Sequence, residues 1–155
     1  MGSGKIEIKT ENLKNCIEEM KPLLENHCVE VHAHPEKILF DPNYDQYLML
    51  NDAGVVHTIT VRSDGELIGY FLSIITENLH YKNDKYAVND VLYLDPKYRG
   101  GKVAYKMFQF AEEEYKKIGV KVFTLHMKTK LPFENLCEAV GMVKTEFLYS
   151  KYIGD

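Results

Sequence analysis

Leu92-Tyr93-Leu94-Asp95-Pro96-Lys97-Tyr98-Arg99-Gly100-Gly101-Lys102-Val103-Ala104 runs from a β-type apolar stretch through an Asp-Pro turn and a glycine pair into a helix. A helix N-terminus carries backbone N–H groups without intrahelical partners and a partial positive charge. Glycines let the backbone close on an anion without side-chain obstruction. The stretch therefore reads as a phosphate cradle, with Arg99 and Lys102 adding positive charge at its edge. The alternative at this level is a strand-to-helix turn that holds no ligand. Two other phosphate-binding patterns do not fit. A Walker loop needs Ser or Thr after Gly-Lys, whereas Val103 follows Gly101-Lys102, and a dinucleotide fold needs a third glycine and repeated βαβ units.

Working outward, Val103, Ala104, Met107, Phe108, Phe110, Ala111, Tyr115 and Ile118 fall within one arc at helical spacing, and charges fill most of the opposite side. Gly119 ends this helix. A strand over 120–127, a short helix over 133–140 closed by Gly141, and a last strand over 143–153 follow. Upstream, residues 86–94 form a strand after a polar loop at 78–85. Residues 56–61 and 67–75 alternate with a period of two about Asp64-Gly65, a dipeptide that accepts the positive φ angles of a tight hairpin. At the start, Ile6 and Ile8 mark a short strand over 5–9. Thr10 can cap a helix carrying Leu13, Ile17, Met20 and Leu24 on one stripe, with Pro22 kinking or restarting it. Asp41-Pro42 reads as a second helix start, with Tyr44, Tyr47 and Leu48 on the apolar side and Gly54 at its end. The order β-α-α-β-β-β-α-β-α-β gives one α/β domain with a mixed sheet.

The chain has 155 residues, 45% of them hydrophobic, which suits one domain with a substantial core. Its formal charge of -4 gives no general attraction to nucleic acid or acidic membranes. Cys16, Cys28 and Cys137 lack the spacing of a zinc site or redox pair, so reduced thiols and a cytoplasmic setting are expected. His32-x-His34 lacks further ligand spacing, and no metal site is expected. Residues 1–4 read as a cloning remnant before a single domain at 5–155, with no apolar stretch suited to a signal peptide or membrane span.

The stretch 92–100 resembles the L-Y-V-x-P-x-Y-R-G motif of the GNAT N-acetyltransferases, followed by their Q/R-x-x-G-x-G/A signature. Arg99 matches the first signature position and Ala104 the last. Lys102 stands where the family usually has glycine, with Gly101 one place early. This is an R-G-G-x-x-A variant similar to that of phage-encoded members. Leu136-Cys137-Glu138-Ala139-Val140-Gly141-Met142 is similar to the family's F-Y-E-K-L-G-F.

The resemblance implies a single GNAT-like α/β domain whose mixed, mostly antiparallel sheet has two central splayed parallel strands and flanking helices. Acetyl-CoA would be the co-substrate. Its pantetheine arm would meet backbone groups of Leu92, Tyr93 and Leu94, and its pyrophosphate would meet Arg99, Gly100, Gly101, Lys102, Val103 and Ala104. An N–H near Tyr93 would polarise the thioester carbonyl. Asp90, just ahead of the motif, would accept a proton from an attacking amine, directly or through water, because an amine of pKa near ~10 is protonated at neutral pH. The family's general-acid tyrosine aligns with Cys137, and its usual asparagine with Lys130. Cys137, Tyr149, Tyr152 or water could then serve as acid, and His126 as another base. The acceptor would be an amine on a small molecule or a protein, and a homodimer is compatible with the resemblance. The departures leave open a catalytically inactive acyl-CoA-binding or protein-interaction module of the same fold.

Overall fold

The computed structural model describes residues 4–155; residues 1–3, within the expected cloning remnant, lie outside the described residues. In chain order the elements are β1 (Ile6–Thr10), α1 (Leu13–Val31), α2 (Tyr44–Asp52), β2 (Val56–Ser63), β3 (Glu66–Glu77), β4 (Lys85–Leu94), α3 (Lys102–Lys117), β5 (Val120–Thr124) and α4 (Glu134–Ala139). A short 3-10 turn, Pro96–Tyr98, links β4 to the glycine pair. The strands form one sheet in the order β1-β2-β3-β4-β5, antiparallel throughout except for the parallel β4–β5 pair.

Local chemistry sets most of these boundaries. Asp64 and Gly65 have φ of 49° and 89°, the two positive angles that the hairpin requires. The cap of α1 is Asn12 and not Thr10: the Asn12 side chain accepts from the Lys14 N–H at 3.0 Å, while Thr10 ends β1 and donates to Glu114. Pro22 lies inside an unbroken α1. It sits on the exposed side, where the carbonyl that loses its partner can be hydrated. Asn43, two residues after Asp41, caps α2 by accepting from the Gln46 N–H at 3.0 Å.

Two apolar layers cover the sheet. On one face, Met107, Phe108, Ala111 and Tyr115 of α3 pack on Ile59, Val61, Phe71 and Ala87. On the other, Leu13, Cys16, Ile17 and Met20 of α1 pack on Leu67, Tyr70, Leu72 and Tyr93. The strand alternation of period two sends Arg62 to the α1 face, where its guanidinium meets Glu11 at 2.9 Å and Glu19 at 2.8 Å. The three cysteines are unpaired.

The expected strand over 143–153 is absent from the described sheet, and β5 stops at Thr124 instead of 127. Val143, Phe147, Leu148 and Tyr149 are exposed, Tyr149 at 90%. Tyr152 instead packs near His34, with Lys37 over its ring. The sequence pattern there is β-type, but β propensity becomes a strand only when a ladder partner is supplied. The edge that β5 offers is five residues long.

Candidate active site

β5 pairs along its whole length, 120–124, with only the first residues of β4, Lys85–Val88. Beyond Val88 one edge of β4 has no neighbouring strand in the described sheet. The Asp95 N–H donates to the Ile68 carbonyl, so Asp95 and, by alternation, Tyr93 turn their backbone groups into the β3 ladder. Leu92 and Leu94 therefore turn theirs toward the open edge. The Tyr93 N–H itself points into the β3 ladder, so the N–H groups on the open edge are those of Leu92 and Leu94. The Tyr93 side chain is buried on the α1 face, stacked on Tyr70 at 5.7 Å.

One residue of β4 is extra. Leu72 pairs with Val91 and Ser73 with Asn89, which leaves Asp90 as a bulge. Bulges re-aim side chains beside functional clefts. The buried Asn89 amide holds the irregularity by donating to the carbonyls of Leu72 at 3.3 Å and Val91 at 3.2 Å. Asp90 itself is exposed and accepts a hydrogen bond from the Tyr47 hydroxyl of α2. Burial, then the hydrogen bond and charge of Asp90, push the Tyr47 phenol well above its ordinary value, so it stays a donor. Tyr47 was legible in the sequence only as part of a helix's apolar side.

At the end of β4, Gly100 has a φ of 74° and Gly101 caps α3 with no side-chain hydrogen bond. Gly101 has an ordinary φ of -111°, and a Cβ added there would meet nothing within 4 Å. Neither strain nor crowding by the protein calls for glycine at 101. Close approach by a ligand would. The first-turn N–H groups of α3 open onto the same space, because Val103 and Ala104 turn their side chains to the core while Lys102 is exposed. These features fit a pyrophosphate.

Arg99 is placed differently from a free phosphate-binding cation. Its Nη2 meets both carboxylate oxygens of Glu30 in the last turn of α1, at 3.0 and 2.8 Å, and its Nε donates to the Leu94 carbonyl at 2.7 Å. The guanidinium lies over the Tyr93 ring at 5.5 Å. Arg99 thus ties the glycine loop to α1 and β4, through a partner, Glu30, that sequence spacing does not reveal. His27, beside Tyr70 and Tyr93, is held below its ordinary value by burial and is neutral.

Cys137 sits half-buried in α4, and burial raises its thiol pKa, so it keeps its proton at neutral pH. His126 is exposed just past β5, and the Lys130 ammonium donates to the His32 carbonyl. Tyr149 and Tyr152 lie outside the sheet. Among the described residues, no group of three or more His, Cys, Asp or Glu side chains could hold a metal ion, and no helix is long and apolar enough to cross a membrane. A groove of about 310 Å³ opens between α1, the α1–α2 loop and α2, with Tyr47 and Val91 among its walls.

The model of the acetyltransferase (GNAT) family matches residues 17–137, most of the chain. No curated protein matches the sequence. Among solved structures, the chain is similar to an aminoglycoside acetyltransferase from an uncultured soil metagenomic sample in complex with sisomicin, at 13% identity and a TM-score of 0.74 over 99% of this chain and 97% of that one. It is similar to glucosamine-6-phosphate N-acetyltransferase from Arabidopsis thaliana, at 16% identity and 0.70 over 97% and 99%. It also resembles a predicted acetyltransferase with acetyl-CoA from Clostridium acetobutylicum, at 13% identity and 0.70 over 95% and 96%. At these identities the likeness is one of fold.

Proposed function

The chain belongs to the acetyltransferase (GNAT) family, and we propose that it moves an acetyl group from acetyl-CoA to an amine acceptor. The observation that carries this reading is the open β4 edge ending at a glycine-capped, side-chain-free helix start. Backbone groups of Leu92 and Leu94 would hold the pantetheine arm as a short added strand. The Gly100–Ala104 backbone would hold the pyrophosphate at the positive end of α3, with Lys102 at its edge. Arg99, pinned by Glu30 and Leu94, would fix the loop.

The coenzyme supplies an acetyl thioester, whose carbonyl carbon the amine attacks as the C–S bond breaks. Asp90, aimed by its bulge and held by Tyr47, would accept the ammonium proton directly or through water. An edge-facing N–H beside Tyr93 would stabilise charge on the carbonyl oxygen. The departing thiolate takes a proton from Cys137 or from water. Calorimetric titration with acetyl-CoA, followed by mass analysis of amines incubated with both, tests the reading. Absence of acetyl-CoA binding overturns it.

A second reading, a coenzyme-binding module without turnover, is favoured by Cys137 in the acid position and by the commitment of Arg99 to Glu30. Acetyl-CoA binding with no acetylated product across a broad amine panel would establish it.

A further inference from the structure

The groove beside Asp90 is walled mainly by apolar side chains: Leu24 of α1, Leu39, Phe40 and Pro42 of the α1–α2 loop, Tyr47 of α2 and Val91 of β4. It adjoins the proposed reacting centre, because Val91 follows Asp90 on β4 and Tyr47 donates to the Asp90 carboxylate. Leu39 is 86% exposed and Phe40 41%, so the rim presents apolar surface that the described residues do not cover. Asp41 stands in its wall, and the Asp90 carboxylate accepts from Tyr47, another wall residue. His32, also in the wall, accepts the His34 N–H on Nδ1 at 3.0 Å. The Lys130 ammonium is held on the His32 carbonyl oxygen.

We infer that the acceptor is a small monoamine with an apolar, ring-bearing body; the inference rests on the transferase reading above. Its ammonium group would lie at Asp90, and its body would cover Phe40, Leu39, Leu24 and Val91. The apolar walls point to the body of the acceptor, and an open groove of about 310 Å³ has room for a fused aromatic pair with a short amine arm. A polycation would also press ammonium groups beyond those that Asp90 and Asp41 can pair onto apolar walls, at a cost in desolvation energy. An aryl body loses nothing there and gains buried apolar area.

Tryptamine is a suitable probe because the chain contains no tryptophan, so indole emission reports the ligand alone. Titrated with the full chain, with and without CoA, tryptamine is expected to bind saturably. Its kcat/KM for acetylation should exceed those of ethanolamine, spermidine and kanamycin at least tenfold. Phe40→Asp, at an exposed loop position, is expected to weaken tryptamine binding at least tenfold while acetyl-CoA affinity stays unchanged; Leu39→Asn should act in the same direction. Absence of saturable tryptamine binding, a preference for kanamycin or spermidine, or full tryptamine affinity in Phe40→Asp would overturn the inference. Failure of acetyl-CoA to bind would instead remove the transferase reading, and the coenzyme-free tryptamine titration keeps the two failures apart.

Discussion

Asp90 owes its position to a single extra residue in β4, and its hydrogen bond to Tyr47 links that bulge to α2. Asp90→Asn is expected to preserve acetyl-CoA affinity and to lower kcat about 100-fold at neutral pH. The deficit should shrink as the pH approaches the amine's own pKa, where free amine no longer needs a base; a rate–pH profile like the parent's would remove Asp90 from that role. Gly101→Val is the cleanest probe of the cradle, since φ at 101 is ordinary and the added side chain enters open space. It should weaken acetyl-CoA binding at least tenfold while costing no more than about 1 kcal/mol of stability at the α3 cap, whereas Gly100→Val also strains a left-handed backbone. Arg62 carries a different burden. Its buried guanidinium answers Glu11 and Glu19, so Arg62→Ala should cost about 3 kcal/mol in urea unfolding by stranding Glu11. Burial works to raise the Glu11 pKa, but hydrogen bonds from Arg62 and Thr60 outweigh it and hold the carboxyl below its ordinary value; the Arg62 hydrogen bond does the same for Glu19. Lowered carboxylate values mean stability that is present above the unfolded-state pKa and lost as pH falls through the folded one. Melting temperature should therefore drop as pH falls below about 4.5, and this acid sensitivity should be smaller in Arg62→Ala.

At the scale of elements, α1 is the support on which the site leans. It presents Leu13, Cys16, Ile17 and Met20 to the sheet, Leu24 to the groove and Glu30 to Arg99. Its start depends on Asn12, whose Oδ1 accepts from the Lys14 N–H and from the Asn51 side chain of α2 at 3.2 Å. Asn12→Ala should cost about 1 kcal/mol in urea unfolding, and Thr10→Ala less, because Thr10 does not cap the helix. The α3 start carries no such cap, and an anion can take its place. The hairpin between β2 and β3 was fully readable, since the angles at Asp64 and Gly65 follow from their own chemistry. The bulge in β4 was not, because it exists only as a mismatch between two strands.

For the whole molecule, the end of β5 beside a β4 that runs on is what leaves an open edge in the sheet. Acetyl-CoA at a hundred times its dissociation constant should add about 2.7 kcal/mol of stability, seen as a rise in melting temperature. Hydrogen exchange should separate two classes of amide. Those of β2 and β3, paired along the middle of the sheet, should exchange slowest, and those of residues 143–153, which make no sheet hydrogen bonds in the described structure, fastest. Slow exchange across 143–153 would restore the strand that the sequence reading expects there.

The sequence by itself determined the helix faces, the hairpin, the glycine loop at a helix start and the family resemblance, because each depends on residues near one another along the chain. Only the tertiary structure decided that Arg99 spends its charge on Glu30, that Tyr47 meets Asp90, that Leu92 and Leu94 face the open edge, and that residues 143–153 stay off the sheet. Those outcomes depend on partners distant in sequence, and a pairing of side chains or strands is set by packing geometry that no local pattern encodes.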